Sequence, residues 1–154
     1  MSTTPSTATV AIAYHSGYGH TAKQAEAVAA GAASVPWTVT DLVPLDDLTE
    51  DVWERLTAAD AIIFGTPTYM GSPSWVFKKF AEESVRIWAA DLAWRDKIAA
   101  GFTNSKAMSG DKLNSLVDLA VFAAQHGMIW VGLDIYPGWA ESTASIEDLN
   151  RLGS

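Results

Sequence analysis

Three short stretches combine small, hydroxyl-bearing and aromatic residues in ways that suit a phosphate and a flat ring. The first is "SGYGHT", Ser16 to Thr21. Gly17 and Gly19 permit close backbone approach and positive φ, while Ser16 and Thr21 add hydroxyl donors. A helix beginning near His20 points its unpaired N–H groups and positive dipole end at this turn, an anion site sized for a phosphate monoester. The stretch is neither G-x-G-x-x-G nor a Walker A loop, because the closing Lys-Ser/Thr is missing; NTP hydrolysis is not expected. The same residues also serve an ordinary strand–helix turn capped by Ser or Thr.

The second stretch, "GTPTYMGSPS", leaves an apolar run and carries two prolines that stiffen it. Thr66, Thr68 and backbone amides stand beside Tyr69 and Met70, a mix of flat apolar contact and polar donors that suits a planar heteroaromatic ring. Its competing use is to cap the next helix through Ser72 or Ser74. The third stretch is "TNSKAMSGDK", from Thr103 to Lys112.

Positioning these stretches falls to an alternation of short β-rich runs and longer helical patterns. Strands are expected at Thr9–His15, Trp37–Val43, Ala61–Pro67, Lys97–Asn104 and Met128–Leu133. Helices are expected at His20–Ala33, Leu48–Asp60 with Thr49 as N-cap, Ser74–Ala90 with Ser74 as N-cap, and Asp111–Gly127, stopped by its glycine. Val52, Leu56 and Ala59 form one apolar stripe; Val76, Phe77, Phe80, Ser84 and Ile87 form another. The run "AIIFGTP" has the look of a central strand buried on both faces, and Trp37–Val43 of one near an edge. Such alternation predicts an α/β fold: a doubly wound five-stranded parallel sheet of order 2-1-3-4-5. Ligands of such sheets sit outside the carboxyl ends of the strands, where the three stretches fall. A closing helix after the fifth strand is missing from the pattern, so either an end is missing, or "SIEDLNRL" or a partner chain is expected to cover that face.

Composition removes other classes. A formal charge of −8 with no Lys/Arg cluster argues against nucleic acid, whose binding rests on such clusters. No cysteine is present, so disulfides, thiolate metal sites and thiol catalysis are excluded. No apolar run approaches the ~20 residues that span a bilayer. The polar start "MSTTPSTAT" lacks the basic flank and apolar core of a signal peptide. Residues 1–8 therefore read as a frayed leader, residues 9–154 as one domain, and the protein as soluble and cytoplasmic.

Taken in order, "YHSGYGHT", "DAIIFGTPTYMGSPS" and "AAQHGMIWVGL" resemble the flavodoxin-like NAD(P)H:quinone oxidoreductases of the WrbA type and their flavodoxin and FMN-reductase relatives. The resemblance implies FMN as cofactor and NAD(P)H as co-substrate, with a small-molecule quinone as acceptor. It implies that Ser16, Gly17, Tyr18, Gly19, His20 and Thr21 cradle the FMN phosphate. Thr68, Tyr69 and Met70, with Asn104, Ser105, Lys106, Ala107, Met108 and Ser109, would line the ring. His126 matches a flavin-contacting position, although a histidine before a glycine also suits a helix C-terminus. Tyr18 matches a position implicated in nicotinamide binding, and Trp88 an aromatic brought over the flavin from a neighbouring subunit. A homodimer or homotetramer follows, with no metal and no catalytic side chain, since the flavin carries the chemistry. Two other classes remain: an electron-transfer flavodoxin without its own substrate, and a flavin-free binding module of the same fold.

Overall fold

The computed structural model describes residues 6–107 and 110–134. The chain runs β1 (Ala8–Tyr14), α1 (His20–Ala33), β2 (Thr38–Pro44), α2 (Glu50–Ala58) and β3 (Ala61–Tyr69). It continues through β4 (Ser72–Pro73), α3 (Trp75–Glu83), α4 (Val85–Ala89), β5 (Ile98–Asn104), α5 (Leu113–Gln125) and β6 (Ile129–Trp130). The main sheet has the order β2-β1-β3-β5-β6, and each neighbouring pair in it is parallel. This is the expected path of a doubly wound flavodoxin-like sheet, with β2 at an edge.

The extra strand is a small antiparallel hairpin on the end of β3. Thr68 pairs with Pro73 and Tyr69 with Ser72, around Met70 (φ 52) and Gly71 (φ 81). Two successive positive φ values belong to the tight turns that suit a two-residue hairpin. The predicted turn after the third strand is thus a rigid finger rather than a plain connection.

Two apolar layers flank the sheet. On one face α1 buries Thr21, Ala25 and Ala29, four residues apart, so small side chains let the helix approach Ile12 closely. On the other face α2, α3, α4 and α5 close over Ala11, Val43, Ile62, Phe64 and Ala99. The centre of that layer is aromatic. Trp53 stacks on Phe80 at 5.3 Å, Phe64 meets Phe122 at 5.2 Å, and Trp94 is wholly buried among them. On the α1 face, among the described residues, Ile98 and its register partner Ile129 remain exposed. The missing closing helix and the "SIEDLNRL" reading lie outside the described residues, as do most of the leader and Met108 and Ser109.

Local signals were read unevenly. Ser74 caps α3 as expected, its Oγ accepting from the Phe77 N–H at 3.2 Å. Gly127 adopts φ 68 just beyond α5, the left-handed conformation that ends a helix. Thr49 occupies the N-cap of α2 but makes no side-chain capping bond. The expected Ser74–Ala90 helix is two helices, broken at Ser84, whose Oγ donates to the Ala81 carbonyl at 2.7 Å. The last strand shrinks from the expected Met128–Leu133 to Ile129–Trp130.

That Ser84 hydroxyl also fixes a buried histidine. Because its proton goes to Ala81, Oγ accepts from His126 Nε2–H at 2.9 Å. His126 Nδ1 is then a lone pair with no partner among the described residues, wedged against Trp94 and Phe122. Burial lowers the pKa of His126 from its ordinary 6.5. The unfolded chain therefore binds the proton at a higher pH than the fold does. Stability is fully present above about pH 6.5 and falls as pH drops toward the lower folded value. Thermal melts from pH 7.5 to 5 should show this decline, with a shallower slope for His126→Gln. Phe80→Ala, which hollows the aromatic centre, should cost about 3–5 kcal/mol in urea unfolding.

Candidate functional site

The parallel register brings the ends of β1, β3 and β5 together. Tyr14 stands opposite Gly65, and Pro67 opposite Asn104, so the turns that follow these strands share one rim. Between them opens a cavity of about 1210 Å³. Tyr18, His20, Thr21, Thr68, Tyr69, Met70, Asn104, Ser105, Lys106 and Ala107 line it, all expected from the sequence. Gln24, Pro67 and Asp111 line it too and were not expected. Gln24 lies one helical turn beyond His20, a spacing that could have found it.

The first turn is built as an anion site. Gly19, at φ 88, is the N-cap of α1 and has no side chain to offer the helix amides. Ser16 Oγ accepts from the Ala22 N–H at 3.0 Å, and Lys23 N–H makes the first helical bond, to Gly19. Among the described residues, the amides from Gly17 to Thr21 have no protein acceptor. They are the orphan donors that a phosphate satisfies. Of the two expected uses of Gly17, the structure shows close approach and not positive φ. Its φ is not positive, and a Cβ there would stand 2.5 Å from Tyr69 Oη. The glycine lets the tyrosine of the second turn lie on the first. Tyr18, exposed, meets the same ring edge-on at 6.2 Å. Burial first, and Tyr18 second, raise the Tyr69 pKa, so its hydroxyl stays neutral and able to donate.

Hydroxyls and amides from the other turns are already engaged with one another. Thr21 Oγ1 accepts from Asn104 Nδ2 at 2.8 Å, and the same amide donates to Gln24 Oε1 at 2.7 Å. Thr68 Oγ1 is 2.8 Å from the Thr103 hydroxyl and 2.7 Å from that of Ser115. Thr68 therefore faces its neighbours with its hydroxyl. Ser105 Oγ donates to Asp111 Oδ1 at 2.9 Å, and Lys112 Nζ donates to Ser105 Oγ and the carbonyls of Ala107 and Gly110. Lys112 ties down the third turn, a role with no sequence motif behind it. Lys106 and Ala107 stay at the cavity wall.

Two expected residues stand elsewhere. His126 ends α5, which starts at the cavity rim and carries it about 20 Å away. It lines a separate groove of about 910 Å³ between α3, α4 and α5, and is held by Ser84 instead of facing this cavity. Trp88 lines that same groove, half exposed on α4. Among the described residues it forms no aromatic pair with Trp94, which packs in the core.

Comparison with known proteins decides the family. The model of the NADPH-dependent FMN reductase family matches residues 23–135. The chain belongs to this family. Flavodoxin FldP of Pseudomonas aeruginosa is 44% identical over 146 residues, covering 93% of this chain and 75% of its own. An NAD(P)H dehydrogenase (quinone) of Geobacter sulfurreducens is 33% identical, with 80% and 71% covered. The crystal structure of a flavodoxin, WrbA-like protein from Agrobacterium tumefaciens superposes with a TM-score of 0.75 at 52% identity, covering 81% of this chain and 77% of its own.

Membership in the FMN reductase family makes the chain an oxidoreductase of flavodoxin-like fold, with FMN as cofactor and NAD(P)H as co-substrate. The cavity fits that cofactor: free amides stand at one end, aromatic and apolar side chains at the other. Among the described residues no helix is long and apolar enough to cross a membrane. A Cβ at Gly19 meets nothing within 4 Å, yet φ 88 strains any other residue by about 1–2 kcal/mol. Gly19→Val should therefore weaken FMN by more than the ~1 kcal/mol of a lost cap, read by flavin-fluorescence titration.

Proposed function

We propose that this chain is an FMN-dependent NAD(P)H:quinone oxidoreductase. One observation carries the reading: amides without acceptors, from Gly17 to Thr21, stand beside a cavity walled by Tyr18, Tyr69 and Met70. Those amides and the dipole of α1 hold a phosphate. Tyr69 and Met70 from the second turn, and Asn104, Ser105, Lys106 and Ala107 from the third, orient a flat ring between them. When bound, FMN supplies the redox chemistry, taking hydride from NAD(P)H and giving two electrons to a quinone-like acceptor. The protein binds, orients and excludes water; no side chain serves as acid, base or nucleophile. Tyr18, exposed at the rim, is assigned to the nicotinamide. The name of the Geobacter relative supports the acceptor.

The working unit in this proposal is a dimer or tetramer in which Trp88 reaches the site of a neighbouring subunit. Support comes from an apolar face at the groove. Val121 of α5 lines it and is exposed, as are Trp75, Val85 and Trp88 from α3 and α4. Exposed aromatics set among apolar residues are typical anchors of subunit contacts. A cytoplasmic location accompanies the reading.

An electron-transfer flavodoxin is the second reading, favoured by the name of the Pseudomonas relative and by the acidic charge of −8. Purified protein supplied with FMN should oxidise NAD(P)H in the presence of benzoquinone with no partner enzyme. Reduction seen only after adding a separate reductase would support the flavodoxin reading instead. FMN should bind far more tightly than riboflavin; equal affinities would remove the phosphate from the argument. Sedimentation should show at least a dimer, and Trp88→Ala should lower quinone reduction more than FMN binding. A monomer turning over at full rate would defeat the shared-site proposal.

A further inference from the structure

His15 stands between β1 and the phosphate loop, yet its side chain is buried and turned toward the start of α3. Its Nδ1 is 2.8 Å from Ser74 Oγ. Ser74 Oγ already accepts from the Phe77 N–H at 3.2 Å and lies 3.3 Å from Thr66 Oγ1, which in turn accepts from the Ser74 N–H at 3.1 Å. Thr66 Oγ1 is also 3.1 Å from the Pro67 carbonyl, and one proton is shared between Ser74 Oγ and His15 Nδ1. On its other side, His15 Nε2 faces the Asp46 carboxylate at 3.8 Å. The imidazole therefore touches the capping serine of α3 and the connection between β2 and α2, while its backbone N–H donates to Gly65 in β3. Thr66, inside the network, precedes Pro67 and Thr68 of the cavity wall. One buried ring joins the phosphate loop to the base of the ring-side turn.

We propose that His15 is a positioning residue for the FMN phosphate: its bond to Ser74 fixes the distance between the amides of the loop and the ring-side turn. The proposal rests on the FMN reading. A ligand that spans both ends of the cavity senses that distance; riboflavin, which lacks the phosphate, does not. Substitution of His15 therefore separates the two flavins, whereas a residue that only supports the fold would weaken both alike.

The test compares FMN and riboflavin dissociation constants, by fluorescence titration, for wild type, His15→Leu and His15→Asn, with a thermal melt of each. Leucine fills the space without a polar atom and leaves the Ser74 hydroxyl unpaired; asparagine carries an acceptor about where Nδ1 stands. Leucine should weaken FMN about tenfold, the scale of one buried hydrogen bond, and change riboflavin less than about threefold. Asparagine should restore FMN to within about threefold of wild type. If the leucine variant does not fold, His15→Gln replaces it: its amide reaches the Nε2 position and misses Ser74, so FMN should weaken as with leucine. Equal losses for both flavins, or variants that all bind FMN like wild type, would overturn the proposal alone. A wild type that binds FMN no better than riboflavin would overturn the FMN reading and this proposal with it.

Discussion

Everything at the site depends on β3 having parallel neighbours on both sides. Its pairing with β1 and with β5 aligns three carboxyl ends, and the turns that leave them can then converge. Small residues set how closely the layers approach. At Gly65 a Cβ would collide with the ring of Phe102 on the adjacent strand; at Gly101 it would meet Leu119 of α5 and Trp130 of β6. The glycines are the recesses into which large neighbours fit, and interiors packed this tightly resist the addition of even one carbon. Under the rim, Phe64 and Phe80 brace β3 against α3, so the finger after β3 is carried by the aromatic centre of the core.

Above that frame the polar groups divide into two sets. One set is satisfied internally: Asn104 with Thr21 and Gln24, Thr68 with Thr103 and Ser115, and Lys112 with the third turn. These bonds join each turn to its neighbour and remove its freedom before any ligand arrives. The other set is the row of amides from Gly17 to Thr21, left without acceptors. A site with fixed walls and unsatisfied donors is preorganised, since the ordering cost is met by folding instead of by binding. Several side chains expected to touch a ligand, Thr21, Thr68, Asn104 and Ser105 among them, therefore also hold the walls.

The sequence made the fold legible because hydrophobic period and turn chemistry agree. Buried apolar runs alternate with amphipathic stripes, and Ser74 and Gly127 end their helices as their types predict. The three turns were legible for the same reason, since glycine and hydroxyl residues cluster where strands hand over to helices. What failed was long-range or geometric. Ser84 breaks a helix through a bond to Ala81 that no stripe of Phe77, Phe80 and Ile87 could reveal, because those positions stay in phase across it. The flanking residues of His126 could not show that the length of α5 sets it in the groove with Trp88, away from this chain's own cavity. Gly17 was read through close approach and φ alike; only the first applies, and the sequence did not name Tyr69 as what approaches. Lys112 acts through partners around a loop, and such contacts leave no local pattern.

The separation of the first two turns has a physical cause. Above the rim, Tyr69 Oη rests where a side chain of residue 17 would stand, so the ring-side finger cannot move further over the phosphate loop. Below the rim, His15 bonds to Ser74 and keeps the finger's base from moving away. One contact resists compression and the other resists separation, and both act between the same two turns. Neither is strong alone; a single hydrogen bond contributes about 0.5–1.5 kcal/mol. Their effect comes from geometry, because a ligand held at both ends loses affinity once its two anchors drift apart. A scaffold that fixes this distance selects for ligand length as much as for ligand chemistry. That constraint explains why buried His15, which does not line the cavity, belongs to the same functional unit as the amides from Gly17 to Thr21.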